Sequence, residues 1–446
     1  MRTPRHLRWG TDREILRLAV PAFGALVAEP LFLLVDSAVV GRLGTAPLAG
    51  LGVAGALLAS AIGIFVFLDY GTTAAVARRV GAGDLRSAVA DGVDGVWLAA
   101  LLGVVVAGLG AAFAEPLVSA FGASGEVAGQ AVTYLRWSLP GLPAMLVVLA
   151  ATGILRGLQD TRTPLVVAAF GAVGNAVLSV ALVHGVGLGI AGSAIGTVLA
   201  QVGMAVAFLV VVVRAARRTG ASLRPDVGGI VRVAVVGVPL LVRTLTLRAA
   251  LLVTTYVAVE QGDAALAAHQ VATVVWGFLA LALDAVAIAG QALTGRALGA
   301  GDASGARALT RRMVAWGVGA GVVFGVLLVA GRHLVAPLFS PEQEVQSALV
   351  AVLVVVALAQ PLAGWVVVLD GGLIGAGDGR YLAVAGVWTL LAFLPLGGLV
   401  LVAPVTGTAG LVWLWVAFAG GFMLARAITL GLRARGDAWL VLGAAR

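Results

Sequence analysis

Residues 81–84 read Gly81-Ala82-Gly83-Asp84, and the same tetrapeptide returns as Gly299-Ala300-Gly301-Asp302. The offset from 81 to 299 holds well beyond those four letters. In the same register Pro21 meets Pro239, Leu33-Leu34-Val35 meets Leu251-Leu252-Val253, Phe121 meets Phe339 and Pro143 meets Pro361. Gly157, Asp160 and Arg162 meet Gly375, Asp378 and Arg380, and Gly189, Ala191 and Gly192 meet Gly407, Ala409 and Gly410. A single shared tetrapeptide in an Ala/Gly/Val-rich chain carries little weight. One ungapped register over this length means two copies of one unit. The tetrapeptides themselves are not phosphate loops: no β-strand precedes them, no Lys follows, and neither fits GxxxxGK[ST] or GxGxxG. They read as tight turns, with Gly supplying positive φ and Asp capping the next helix.

The medium around this repeat is set by composition. The 446 residues are 61% hydrophobic and only 11% charged, with a mean hydropathy of +1.07. Soluble chains carry about 25% charged residues, so this one lacks the polar surface for soluble domains and is an integral membrane protein. At about 20 apolar residues per span, its length allows roughly twelve helices. The apolar stretches fall at 15–40, 48–70, 88–113, 127–153, 164–184, 190–213, 230–258, 266–290, 313–331, 345–370, 381–403 and 408–430. Each repeat holds six, an even number, so both copies enter the membrane in the same direction. The expected fold is an all-α polytopic membrane protein, its twelve transmembrane helices arranged as two parallel six-helix repeats around a central cleft. The expected division is an N-terminal lobe over 1–213, a cytoplasmic linker over 214–229, a C-terminal lobe over 230–430 and a cytoplasmic tail over 431–446.

The net charge of +8 would suggest nucleic acid in a soluble protein; here it encodes topology. All 29 basic residues are Arg. Sorted by loop, 24 fall on the side of the termini and the even-numbered loops, and three (Arg42, Arg136, Arg332) on the other. That split puts both termini in the cytoplasm. No removable signal peptide is expected from the Arg-rich stretch Met1 to Arg17. The absence of Cys excludes disulfides, thiolate metal sites and Cys nucleophiles.

Ionisable residues inside spans are costly and point to function. In span one, Glu29 and Asp36 lie almost two full turns apart and share a helix face. Counted from the cytoplasmic boundary, Glu29 matches Asn175 of span five in depth, and Asp36 roughly matches Ser179. The first half thus holds buried acids without a buried base. In the second half span seven carries Arg243 and Arg248, span eight carries Asp284 at the depth of Arg243, and Asp370 ends span ten as another candidate partner. Uncompensated carboxylates attract a proton, Na⁺ or an organic cation, which places an ion-coupling site in the first half. Arg243 and Asp284 read as a structural or gating pair. His269 reads as a packing or hydrogen-bonding residue, and Trp276 as a lesser candidate for substrate contact.

The stretches EPLFLLVDSAVVGRLG (29–44), GTTAAVARRVGAGD (71–84), LAAHQVA (266–272), LALDAVAIAGQALTGRALGAGD (281–302) and VLDGGLIGAGDGR (368–380) resemble the multidrug and toxin extrusion (MATE) transporters, in particular the DinF-like branch. The resemblance implies a two-lobed antiporter that exports organic cations and other amphipathic compounds in exchange for H⁺ or Na⁺. It also implies a cation site in the N-terminal lobe, with Asp36 and Asn175 at the matching positions, where Na⁺ would sit if Na⁺ is the coupling ion. Some members place an Asp four residues after that Asn; this chain has Ser179, and Glu29 is the candidate compensating carboxylate. The expected partners are a small organic-cation or amphipathic substrate and the lipid bilayer, without nucleic acid and with no cofactor beyond the coupling ion. The expected state is a monomer in a bacterial plasma membrane. The alternative is a flippase for lipid-linked precursors, which calls for a cationic cleft. No nucleophile–base or metal set points to an enzyme.

Overall fold

A computed structural model describes residues 5–444; the side chains of residues 5–10 and of Glu29 lie outside the described part. The described residues form helices joined by short turns and loops, with no strand. Among them, twelve helices are long and apolar enough to cross a membrane: Thr11–Gly41, Thr45–Gly81, Leu85–Ala112, Gly125–Gly157, Arg162–Gly185, Gly189–Thr219, Val227–Val259, Asp263–Gly299, Ala303–Phe339, Gln343–Gly375, Gly379–Val402 and Gly407–Arg435. Their outer faces carry Phe170, Leu334, Leu338 and Val402, all highly exposed. Side chains of that kind need a lipid neighbour rather than water.

Span two is longer than the 48–70 stretch suggests. It is built from two helices, Thr45–Ile64 and Phe67–Gly81, and the second takes up TTAAVARRV, which polarity alone assigns to a loop. The charges of that segment are held by the protein itself: Arg79 pairs with Asp91 and Arg78 is buried. One turn further in, Asp69 and Arg156, both buried, form an ion pair between spans two and four.

The repeat register recurs in the backbone. Thr45 and Asp263, Leu85 and Ala303, Gly125 and Gln343, and Gly189 and Gly407 open equivalent helices. Packing repeats too: a Cβ on Gly103 would strike Pro143, and one on Gly321 would strike Gln360 and Pro361. The two tetrapeptides are the expected turns. Gly83 has φ of 80° and Gly301 of 78°. Asp84 accepts a hydrogen bond from the Ser87 amide at 3.0 Å, and Asp302 from the Gly305 amide at 2.7 Å. The Ser87 bonds hold the Asp84 carboxyl below its ordinary pKa, and the Gly305 amide does the same for Asp302. The contribution of both caps is therefore present above the ordinary carboxylate pKa and lost in strong acid. A Cβ at either glycine would meet no atom, so only the backbone resists substitution. Gly301→Val is expected to lower stability by about 1–2 kcal/mol, the cost of a left-handed conformation for a residue with a Cβ, read as a fall in melting temperature in detergent.

By packing, the chain divides into two compact units, one spanning Val20–Gly237 and the other Met1–Ala19 with Val238–Ala444. The boundaries lie inside span one and span seven rather than in the linker between the repeats. They are themselves one repeat interval apart, each falling just before a Val-Pro step, Val20-Pro21 and Val238-Pro239. The leading segment of span one joins the second unit, where Ile15, Leu18 and Ala19 pack with Ala289, Leu293, Met313 and Val368. There Asp12 accepts from Arg312, Nε at 2.7 Å and Nη2 at 2.5 Å, and from the Trp316 indole at 2.9 Å. Beyond the last span, residues 436–444 fold back: Trp439 is buried, and the Gly443 amide donates to the Leu298 carbonyl at 3.1 Å.

Candidate functional site

Four spans of the Val20–Gly237 unit converge on one carboxylate. Asp36, on span one, is 3% exposed. Its Oδ1 accepts from Ser179 Oγ at 3.1 Å, Ser193 Oγ at 3.2 Å and Asn175 Nδ2 at 3.5 Å. Its Oδ2 accepts from Thr197 Oγ1 at 3.0 Å and the Tyr134 hydroxyl at 3.3 Å. Asn175 and Ser179 are one helical turn apart on span five, and Ser193 and Thr197 are one turn apart on span six, so each pair presents one face. The two faces come close because span six is small there: a Cβ on Gly196 would lie 2.9 Å from the Ser179 amide nitrogen. Asn175, Ser179 and Ser193 are fully buried.

Two hydroxyls have a choice of acceptor. Ser179 Oγ lies 2.9 Å and Thr197 Oγ1 3.2 Å from Asn175 Oδ1, in addition to their approach to Asp36. A hydroxyl has one proton to donate and two lone pairs to accept with. With Asp36 ionised, both hydroxyls point their protons at it. With a proton or a cation on Asp36, they turn to Asn175 Oδ1 and present lone pairs instead. The cluster therefore accommodates a charged or a neutralised Asp36 by rotating hydroxyl protons.

Depth counting matches Asp36 with Ser179, and the resemblance matches Asp36 and Asn175; all three lie together in the structure. Both miss Tyr134, Ser193 and Thr197. The Ser193/Thr197 pair carries the same polar spacing of four as Asn175/Ser179 and was legible on that ground. The Glu29 side chain lies outside the described residues.

The second unit carries nothing equivalent among its described residues. In the repeat register, the counterparts of Tyr134, Asn175, Ser193 and Thr197 are Val352, Phe393, Leu411 and Trp415, and the counterpart of Asp36 is Thr254. What occupies that region is an aromatic cluster: Trp276 lies 5.6 Å from Phe418, Phe393 5.7 Å from Phe422, and Phe418 stacks on Phe422 at 5.5 Å. Buried His269 packs against Trp415 at 5.7 Å, with its Nε2 3.4 Å from Thr255 Oγ1, in keeping with the packing role.

The charges of this unit meet elsewhere. Arg243 forms an ion pair with Asp370, the other candidate partner read from the sequence, and Asp284 lines the same cavity. Asp370 also accepts from Arg426 Nη2 at 2.6 Å. Arg426 falls among the terminal Arg residues when charges are sorted by loop, yet it is 4% exposed within span twelve. Without it Asp370 Oδ1 would lose its charged partner, and burial at this depth demands full pairing. Arg243, Asp284, Asp370 and Arg426 line one cavity of about 250 Å³ with Trp276 and Phe418. Arg248 does not line it and is exposed.

The chain matches the MatE family twice, over residues 21–181 and 239–399, two segments set apart by the repeat interval itself. It is 30% identical to "Protein DETOXIFICATION 44, chloroplastic" of Arabidopsis thaliana over 89% of this chain and 78% of that one. It is also 30% identical to "DNA damage-inducible protein F" of Escherichia coli (strain K12), over 82% and 81%. A mutant of the Vibrio cholerae MATE transporter VcmN shares its fold with a TM-score of 0.87 and 22% identity, over 97% of this chain and 98% of that one. Twelve spanning helices, an internal repeat in one register and a family match to both copies establish that this chain is a member of the MatE family of multidrug and toxin efflux transporters.

Proposed function

We propose that the protein exports organic cations and other amphipathic compounds in exchange for H⁺ or Na⁺, and that the coupling ion binds at Asp36. The observation that carries this reading is the polar cluster: one buried carboxylate held by Tyr134, Asn175, Ser179, Ser193 and Thr197, two of whose hydroxyls can redirect their protons to Asn175. A proton would neutralise Asp36 directly. Na⁺ would draw on the carboxylate and the freed hydroxyl lone pairs while Asn175 Oδ1 takes the hydroxyl protons, an all-oxygen set suited to a hard cation. Ser179 in place of a second acid leaves a neutral ligand at that position.

In the proposed cycle both termini are cytoplasmic, as the Arg distribution directs. Ion uptake from outside favours the state that has released the exported compound, and loss of the ion inside favours the state that takes up the next. Coupling requires only that ion and compound prefer opposite states. A lipid-linked flippase is not favoured. It calls for a cationic cavity, whereas the charged groups lining the cavity of the second unit are two Arg and two Asp.

The test is export of a fluorescent organic cation from proteoliposomes under an imposed pH gradient or an imposed Na⁺ gradient, each alone. One gradient is expected to drive accumulation and the other not; accumulation under neither overturns the exchange reading.

A further inference from the structure

The cavity of the second unit has the makings of a binding site, and its chemistry is the reverse of the Asp36 cluster. Both oxygens of Asp370 are taken by guanidinium groups, Arg243 on one and Arg426 on the other. A cation arriving at Asp370 would have to displace two fixed positive charges; with Asp284 the cavity's four charged groups balance, so one anionic group is a matter for the guanidinium with donors to spare, not for a cationic cleft. Arg426 has five N–H donors, and among the described residues its side chain spends one, on Asp370 Oδ1. It is nine-tenths buried and more, and it lines the cavity. A buried guanidinium with donors to spare asks for an anionic oxygen group, which it binds through charge-assisted hydrogen bonds.

The rest of the wall is built for an aromatic body. Trp276, Phe418 and Phe422 line the cavity. Phe418 and Phe422 both come from Val416–Phe422, a π-helical segment inside span twelve. Such segments re-aim side chains and recur at functional sites. A cavity of about 250 Å³ lies just below the usual range of ligand pockets, about 300–1,000 Å³, and holds nothing larger than a two-ring compound. The register sharpens the contrast. The counterparts of Arg243, Asp370 and Arg426 in the first copy are Ala25, Thr152 and Phe208, so this arrangement belongs to one lobe as the Asp36 cluster belongs to the other.

We propose that this cavity is a separate ligand site for small aromatic carboxylates, with the acid group on Arg426 and the ring among Trp276, Phe418 and Phe422. Only the use of the site in export rests on the exchange reading; binding does not.

The experiment is equilibrium binding to the full-length protein in nanodiscs, with indole-3-propionate as the anionic probe and tryptamine as the cation on the same ring. Indole-3-propionate is expected to bind at least tenfold more tightly. Arg426→Gln is expected to lose that preference, and Arg426→Lys to keep part of it. Ala280→Phe fills the cavity from span eight without touching a charge and is expected to abolish binding of the probe; it decides the matter if Arg426→Gln does not fold. Equal binding of the two probes, no binding of indole-3-propionate at millimolar concentration, or unchanged binding in a folded Ala280→Phe protein overturns the proposal. None of these outcomes depends on an ion gradient, so failure here and failure of ion-driven export are distinct results.

Discussion

Asp36→Asn is expected to abolish gradient-driven export while leaving the protein folded. The substitution keeps the shape of the side chain; its amide oxygen still accepts on one side, and on the other its NH2 donates to hydroxyls that turn to accept, among Ser179, Ser193, Thr197 and Tyr134. It removes the charge. An ion pair at about 4 Å in an effective dielectric of about 20 is worth about 4 kcal/mol, equivalent to roughly a thousandfold in affinity for the coupling cation. Loss of one neutral partner is a smaller matter, about 1 kcal/mol for a hydrogen bond. Ser193→Ala should therefore slow export by up to about tenfold where Asp36→Asn stops it. Initial rates of dye export in proteoliposomes, at matched protein incorporation, separate the two. Coupled export that survives Asp36→Asn would remove the ion site from this cluster.

The largest effect on stability is expected at Asp69 and Arg156. Both side chains are 6% exposed, and they form an ion pair between spans two and four. Thr73 Oγ1 adds a hydrogen bond to Asp69 at 3.4 Å. Removing one member strands the other charge in the interior, at a cost of about 3–5 kcal/mol. Arg156→Met and Asp69→Asn should each cause a drop of that size. The double variant should cost clearly less than the two together, because both single changes destroy the same pair. Thermal unfolding in detergent, followed by the loss of monodisperse protein, measures all three; strictly additive effects would show that the pair is not the source.

The fold was legible because membrane insertion and gene duplication both leave periodic marks. Helix starts, the Asp84 and Asp302 caps and the packing of Gly103 on Pro143 recur at the interval that the tetrapeptide announces. The candidate ion site was legible in part. Depth counting brings Asp36 and Ser179 to one level because spans one and five run in the same direction from a common boundary; Asn175, one turn from Ser179, joins Asp36 only through the resemblance. Depth counting cannot rank Tyr134, Ser193 and Thr197, whose relevance depends on how spans four and six are rotated. Charge sorting by loop did not reveal that Arg156 and Arg426 are buried, for a related reason. An Arg near the end of an apolar stretch has the same sequence signature whether it reaches water or a buried carboxylate. What the register could have supplied is the contrast between copies, since Phe393 and Trp415 at the positions of Asn175 and Thr197 already exclude a second polar cluster.

The unit boundaries at Ala19 and Gly237 bear on how the protein is made. Residues 1–19 leave the ribosome first, yet the unit they belong to is synthesised only after residue 237. The earlier unit is in turn completed only by residues 227–237, the start of a helix whose remainder belongs to the later one. The nascent chain cannot finish one lobe and then begin the other. Its oldest segment must wait for its youngest partners, and a chain cut in the 220–226 linker would yield two fragments, each lacking a segment of its own unit.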